Sequence, residues 1–424
     1  MSTIAYAALW LFVFSLPWEN AFVAIFPGVS IVTKITGGLA LAAMLGFVVV
    51  SGQVRRWSGM HVAALLFVLW GGGELFFHQL GQRLPYKYST YVQLFLVLWI
   101  VWELAPSWPR QLGLMAAYVF GSYVAAISTI MQYRQQAGAL RRYAALQTDP
   151  NSLAMTLALA MPMAWYLAAT SRSALLRWAC RAYMIVGLVA VALTASRGGM
   201  VATIMALTIV PLTMTKLSPG RLVTALVVLA LSGALAVAYV PEKIVERLAT
   251  TSTEVEDLSL GGRFGLWKAG VRAFTARPMT GYGPGGWRAA VAPWLGPNAQ
   301  VAHNSFLSVL VELGLVGLTF YLTMFTAAFR ATRRLPSLER RFTLVLFLTL
   351  IVAMLPLSWE DQKAVWFILA LLLGLGRATG VTLQGAVRQT PVLRPTPVVR
   401  PVVAARSRER LLRTPRDPGR DPAT

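Results

Sequence analysis

The chain has little acid, almost no cysteine and few histidines. Its 424 residues include 16 Asp and Glu against 38 Lys and Arg, one cysteine (Cys180) and three histidines. A lone cysteine excludes an internal disulfide framework, and its expected role is that of a small apolar filler. With five aspartates and no D-x-D, the acids are too sparse for the usual divalent-metal designs. The one acidic cluster, Glu254, Glu256 and Asp257 in "TEVEDLS", reads as a solvated loop face before it reads as an ion site. The first apolar run, "IAYAALWLFVFSL", has neither a basic stretch before it nor a small-residue cleavage site after it, so it reads as a retained span rather than a signal peptide.

What is abundant is apolar. Hydrophobic residues make up 57% of the chain, charged residues 13%, and there are 14 tryptophans. That composition belongs to membrane proteins, and runs of about 20 apolar residues recur along nearly the whole length. Spans are expected at 4–26 (broken near Pro17), 31–50, 60–77, 89–106, 110–131, 151–170, 179–195, 198–215, 222–240, 304–329, 342–358 and 364–377. The fold class is therefore an all-α integral membrane protein of about twelve transmembrane helices. The formal charge of +22 would suggest nucleic acid in a soluble protein, but here it distributes by side of the membrane. Arg55 and Arg56, Arg172, Arg177 and Arg181, Lys216 and Arg221, and "FRATRRLPSLERR" at 329–341 fall on one side, the expected cytoplasmic one. The Pro- and Arg-rich tail, 378–424, joins them as a disordered basic segment open to anionic lipid.

The organisation follows as spans one to nine at 1–240, a large outer loop at 241–303, the last three spans at 304–377 and the tail. The loop, about sixty residues where most connections are short, is the expected seat of function. Within it, Phe264, Trp267, Val271 and Phe274 recur at helical spacing while Lys268 and Arg272 share another face. Residues 263–276 thus read as an amphipathic helix on the membrane surface. Pro278 stops it, and "GYGPGG", containing Tyr282, makes a turn able to bring backbone N–H groups close to a bound group. In a bacterium that side of the membrane holds no nucleoside triphosphate.

The outer side also carries more arginine than the positive-inside tendency allows: Arg83 and Lys87, Arg134, Arg141 and Arg142, Arg197, Arg263, Arg272, Arg277 and Arg288. An anionic ligand would compensate them, because guanidinium groups grip phosphate oxygens in pairs. Arg197 lies in "LTASRGGM", where Gly198 and Gly199 permit close approach of a backbone or ligand; a snorkelling interfacial arginine is the plainer alternative. His303 opens the tenth span with Asn304 and Ser305. It reads either as a capping or interfacial histidine or as a proton acceptor beside a helix start that favours anions. His61 and His78 lie near other span ends and read as interfacial. Glu312, two turns into the tenth span, is costly there unless paired and reads as orienting His303, as half of a structural ion pair or as a protonated acid. In "LQTDPNSLAM", Asp149, Pro150 and Asn151 form a helix-start signal, and Asp149 is placed to hold Arg141 or Arg142.

"SRGG", "GGRFGLWKAGVRAF" with "PMTGYGPGGW", and "HNSFLSVLVELGLVG", in that order and with "DPNSLA" before them, resemble the bacterial O-antigen ligase and polymerase superfamily over roughly 145–320. The resemblance implies a GT-C-like glycosyltransferase of the inner membrane with its active site facing the periplasm. Its donor would be a glycan on undecaprenyl pyrophosphate and its acceptor the lipid A-core, with membrane lipids around it and no nucleic acid partner, cofactor or metal. Arg197 and Arg263 would hold the pyrophosphate, with Arg272, Arg141, Arg142, Tyr282 and Asn304 around it, and Asp149, Asn151 and Glu312 in support. His303 would act on the acceptor hydroxyl or the departing phosphate, and single displacement would invert an α-linked donor to a β-linked product. The motifs are shared by ligases, O-antigen or exopolysaccharide polymerases and protein O-oligosaccharyltransferases. Twelve spans, one late outer loop and no appended domain favour the ligase. A lipid-linked oligosaccharide transporter, with the arginines lining its path, is the reading from another class.

Overall fold

In a computed structural model the described residues are 2–20, 31–77, 84–136, 142–144, 148–214, 220, 223, 227, 263–297 and 299–389. They are helical, with no strand among them. The expected ninth span apart from residues 223 and 227, together with His78, Arg83, Arg141, the first part of the large loop and the tail beyond Gln389, lies outside the described residues. The helices are α1 (Ser2–Ser15), α2 (Ile31–Ser51), α3 (Gly59–Phe77), α4 (Leu84–Leu104), α5 (Trp108–Gln135), α6 (Pro150–Thr170) and α7 (Ala174–Leu193). They continue as α8 (Arg197–Leu207), α9 (Ile209–Met214), α10 (Arg263–Ala276), α11 (Trp287–Leu295), α12 (Ser305–Thr332), α13 (Ser337–Met354) and α14 (Lys363–Gln389).

Five of these, α2, α5, α6, α7 and α12, are long and apolar enough to cross a bilayer. Shorter apolar stretches run over Ser2–Trp18, Gly59–Gly73 and Arg197–Thr213. The expected break near Pro17 is a 3₁₀ turn, Leu16–Trp18, ending the first helix, as a proline without an N–H requires. The span expected at 198–215 is two helices parted at Thr208.

The centre of the bundle is α6, buried almost all round from Leu153 to Ala168. Its alanines at 154, 158, 160, 164 and 168 leave room for close neighbours, and α5, α7, α8 and α13 pack against it. Asp149 caps its first turn, accepting from Asn151 N at 2.9 Å and Ser152 N at 3.0 Å, with Pro150 at the position that has no use for an N–H. Gly198 and Gly199 serve packing: a Cβ on Gly198 would lie 2.9 Å from Met155 Cε and 3.0 Å from Pro356, and one on Gly199 would run into Ala154. Many large side chains point away from the core, among them Ile35, Leu39, Val49, Leu69, Val201 and Ile204, all more than half exposed, which suits hydrocarbon surroundings. On the exposed face of α12, Thr319, Thr323 and Thr326 each donate to the carbonyl four residues back, so these three hydroxyls are satisfied within the helix.

The amphipathic helix expected in the large loop is α10, with the expected bounds. Its inward face is Leu266, Ala269, Gly270 and Ala273, which joins Trp287, Ala290, Val291 and Ala302 in a small core. The stripe read from periodicity is split between two environments: Phe264 and Val271 are 53% and 51% exposed, while Trp267 and Phe274 pack against that core. Trp267 Nε1 donates to Ala302 O at 3.1 Å and Trp287 Nε1 to Gln300 O at 2.9 Å, tying both helices of the loop to the segment just before His303.

Candidate functional site

A cavity of about 830 Å³ opens where α4, α6, α12 and the α13–α14 connection meet the large loop. Its wall includes Lys87, Asp149, Ser152, Arg288, His303, Ser308, Glu312 and residues 357–361. His303 takes a left-handed backbone conformation, φ +48°, uncommon for a residue with a side chain. It is held there by its N–H, which donates to Ser358 Oγ at 3.1 Å. Asn304, next in the chain, caps α12 by accepting from Leu307 N at 3.0 Å. Ser305 Oγ donates to Leu357 O and accepts from Trp359 N, both at 2.8 Å. The histidine thus rests on two anchored elements. Its Nδ1 is buried with no hydrogen-bond partner among the described residues. Burial, and then the positive charge of Arg263, lower its pKa below the ordinary 6.5, while Asp149 opposes them; the neutral imidazole that results can accept a proton.

Below the histidine lies a buried ionic cluster. Lys87 Nζ is 2.8 Å from Glu312 Oε2 and 2.7 Å from Glu360 Oε1. Glu312 also accepts from Gly285 N at 2.9 Å, and Glu360 from Ser308 Oγ at 2.6 Å. The partner of Glu312 is therefore Lys87, and its carboxyl group points to that lysine rather than to His303. One lysine thus faces two carboxyl groups, and Glu360 Oε2 is buried with no hydrogen-bond partner among the described residues. Asp361, next along the same wall, has its pKa raised to about 6 by burial, with Lys87 opposing and Glu360 reinforcing. The cavity has a carboxylate side as well as a cationic one.

The cluster depends on a break in α12. Gly314 has φ +65°, ψ −168°, a conformation that suits glycine, and the carbonyls freed around it find donors elsewhere. Tyr282 N donates to Val311 O and Glu312 O at 3.2 and 3.0 Å, and Gly283 N to Glu312 O at 2.8 Å. Trp70 Nε1 donates to Leu313 O at 2.9 Å. In return Leu315 N donates to Pro278 O at 2.8 Å. "GYGPGG", with positive φ at Gly281, Gly283 and Gly285, thus spends the N–H groups of Tyr282, Gly283 and Gly285 on the broken helix and on Glu312, and those of Gly281 and Gly286 on Arg277 O and Gly283 O. They do not form a free anion nest. Tyr282 presents its ring to Arg277, 4.7 Å away.

The expected arginines are placed as follows. Arg263 is the first residue of α10, and its charge acts on His303. Arg197 is the first residue of α8, half-buried, behind the cap Ser196. Ser196 Oγ donates to Asn151 Oδ1 at 2.9 Å, and Arg142 donates to the same oxygen at 2.7 Å and to Thr194 O at 3.0 Å. Asn151 therefore ties Arg142 to the start of α8. Asp149 faces the cavity. Arg272 is exposed on α10 and not on the cavity wall. Arg197, Arg263, Arg142, Tyr282 and Asn304 are likewise outside that wall, whereas Arg288 is on it.

Sequence reasoning left Lys87 and Arg288 in a general list of outer cations and passed over Ser358, Trp359, Glu360 and Asp361. A signal was present: in a chain with so few acids, an adjacent Glu and Asp at the mouth of the last span is a costly arrangement. No group of three His, Cys, Asp or Glu suited to a metal ion occurs among the described residues.

Residues 182–322 match a family model described as O-antigen ligase, and no curated protein matches the chain. The matched segment holds Arg197, Arg263, Arg272, Tyr282, His303, Asn304 and Glu312. Over that third of the chain the match supports the O-antigen ligase superfamily.

Proposed function

We propose that the protein is an O-antigen ligase of the bacterial inner membrane, with about twelve spans in a GT-C-like arrangement and an active site facing the periplasm. It would transfer a polysaccharide from undecaprenyl pyrophosphate to the lipid A-core. One observation carries the reading: inside the family segment, a histidine held neutral by burial and by Arg263 stands on the wall of an 830 Å³ cavity.

The chemistry is a single displacement. An acceptor hydroxyl attacks the anomeric carbon as the bond from that carbon to the pyrophosphate oxygen breaks. The hydroxyl proton passes to His303, and undecaprenyl pyrophosphate departs. Charge grows on the departing phosphate, and Arg197 and Arg263 act there, where fixed cations lower the barrier more than they bind the ground state. An α-linked donor gives a β-linked product. The phosphoanhydride-linked leaving group supplies the driving force without nucleotide, and Asp149 and Asn151 keep the start of α6 and Arg142 in register with α8.

The deciding experiment gives purified protein a lipid-linked glycan together with lipid A-core. Glycan appearing on the core, and failing to appear with His303→Ala in protein that remains folded, supports a ligase. A lengthened donor with the core untouched means a polymerase, and glycan movement across vesicles with no covalent product means a transporter.

A further inference from the structure

A second cavity, about 430 Å³, lies between α1, α2 and α4 and has no residue in common with the first. Its shaft is apolar, formed by Phe12, Leu41, Leu96, Val97 and Ile100, and Lys34 and Lys363 stand on its wall. On α4 the lining runs from Gln93 to Ile100, about 10 Å at helical rise. Two glycines of α2 make the space. A Cβ on Gly37 would meet the Phe12 ring at 3.1 Å, so that glycine lets α1 close one side, whereas a Cβ on Gly38 would meet nothing within 4 Å. Gly38 therefore faces open volume. The surrounding α2 surface, Ile35 and Leu39, is apolar and more than half exposed.

The charges at its mouth select the occupant. Lys363 is paired with Glu19 at 2.7 Å, and Thr33 Oγ1 donates to the same carboxylate at 3.2 Å. Lys34 has no ion pair among the described residues. Two ammonium groups and one carboxylate leave a single positive charge over an apolar slot. That complements one monoanionic phosphodiester with a hydrocarbon chain. A pyrophosphate, with at least two negative charges, would be left undercompensated.

We infer that this groove is a binding site for an anionic glycerophospholipid of the bilayer, with one acyl chain along α4 past Gly38 and the phosphodiester between Lys34 and Lys363. The site does not depend on the reaction proposed above, and it would be occupied whichever glycan the protein transfers.

The test is lipid retention by the full chain in detergent, read by native mass spectrometry after adding phosphatidylglycerol, phosphatidylcholine or undecaprenyl phosphate. Phosphatidylglycerol should bind selectively. Gly38→Leu, which places a side chain in open space, should lower that binding about tenfold or more, and Lys34→Gln about fivefold. The lipid-free melting temperature should stay at the wild-type value in both variants. Lys34→Gln leaves the packing untouched and so reads the headgroup even if the leucine perturbs α2. Equal retention of phosphatidylcholine, or phosphatidylglycerol binding unchanged in both variants, overturns the proposal. Preferential retention of undecaprenyl phosphate that Gly38→Leu abolishes would also overturn it, assigning the groove to the lipid carrier.

Discussion

Two histidines in this molecule share much of their local description and differ in what surrounds them. His61 and His303 both stand at the start of a helix, and each has one buried ring nitrogen with no hydrogen-bond partner among the described residues. His61 is closed in. Ser58 fixes its Nδ1, with Oγ at 2.9 Å and N at 3.2 Å. The Trp102 ring lies 5.0 Å and the Trp57 ring 6.3 Å from its own. Arg55 covers Trp102 at 3.5 Å while its N–H donates to Glu103. His303 has open volume in front of it, a guanidinium near it and carboxylates across the cavity. An orphan nitrogen by itself distinguishes neither, and the difference is access to a substrate-sized space with charge on its walls. The packed region spends its polar groups on neighbouring backbone and rings, and the open one keeps an acceptor in reserve.

The contrast can be broken most directly by exchanging its centres. His303→Ala should lower glycan transfer by about 10²- to 10⁴-fold, the range for a lost proton acceptor, while His61→Phe should lower the melting temperature and leave transfer per folded molecule near wild type. Equal losses of activity in the two would remove the distinction. Lys87→Met comes next. It strands Glu312 and Glu360 beside one another and should cost about 3–5 kcal/mol of stability, measurable by denaturant unfolding in detergent; a variant as stable as the parent would mean the cluster is not ionised as drawn. Arg263→Ala should reduce kcat/KM by about 10²- to 10³-fold, with Arg263→Lys recovering only part because an ammonium cannot grip two phosphate oxygens in a plane. Full activity in the alanine variant would exclude Arg263 from the donor site.

Gly314→Ala forces a side chain into a left-handed backbone against Met279 O and should cost about 1–3 kcal/mol, seen as a lowered unfolding midpoint. The smallest effect is in pH. Because the His303 pKa is lowered, the neutral base persists below the ordinary imidazole value, so the acid limb of kcat/KM should lie under 6.5. Arg263→Ala removes a charge that disfavours protonation, so the limb should move up in whatever activity remains. Asp361, near 6, titrates in the same window; Asp361→Asn should leave the limb in place if the histidine sets it, and a limb that vanishes would assign it to the carboxylate.

Much of the architecture was legible because it is local. The start of α6 could be read from Asp149-Pro150, the start of α12 from Asn304, and α10 to the residue, since caps and helical periodicity are carried within a few positions of sequence. The orientation of α10 was not readable. Its small residues, Ala269, Gly270 and Ala273, face inward because Trp287 fills the space above them, and a Cβ on Gly270 would approach that ring to 2.6 Å. "SRGG" was half legible: the glycines do permit close approach, but of α6 and Pro356 to α8.

His303 and Arg263 were readable as candidates from the order of motifs, and the matched family segment contains both. The carboxylate wall was not, because Lys87, Glu312 and Glu360 lie more than two hundred residues apart at the extreme and come within 2.8 Å only through tertiary packing.

By itself the sequence determined that this is a helical, membrane-type chain with scarce acid and abundant arginine, and where the capped helices at Asp149 and Asn304 begin. Those properties follow from transfer free energies and from backbone groups satisfied within a turn. The break at Gly314, the pairing of Glu312 with Lys87 and the open space before His303 were decided by tertiary structure alone. Each requires a donor, a charge or a void supplied by a distant segment, and a buried charge has no fixed meaning until its partner has been brought to it.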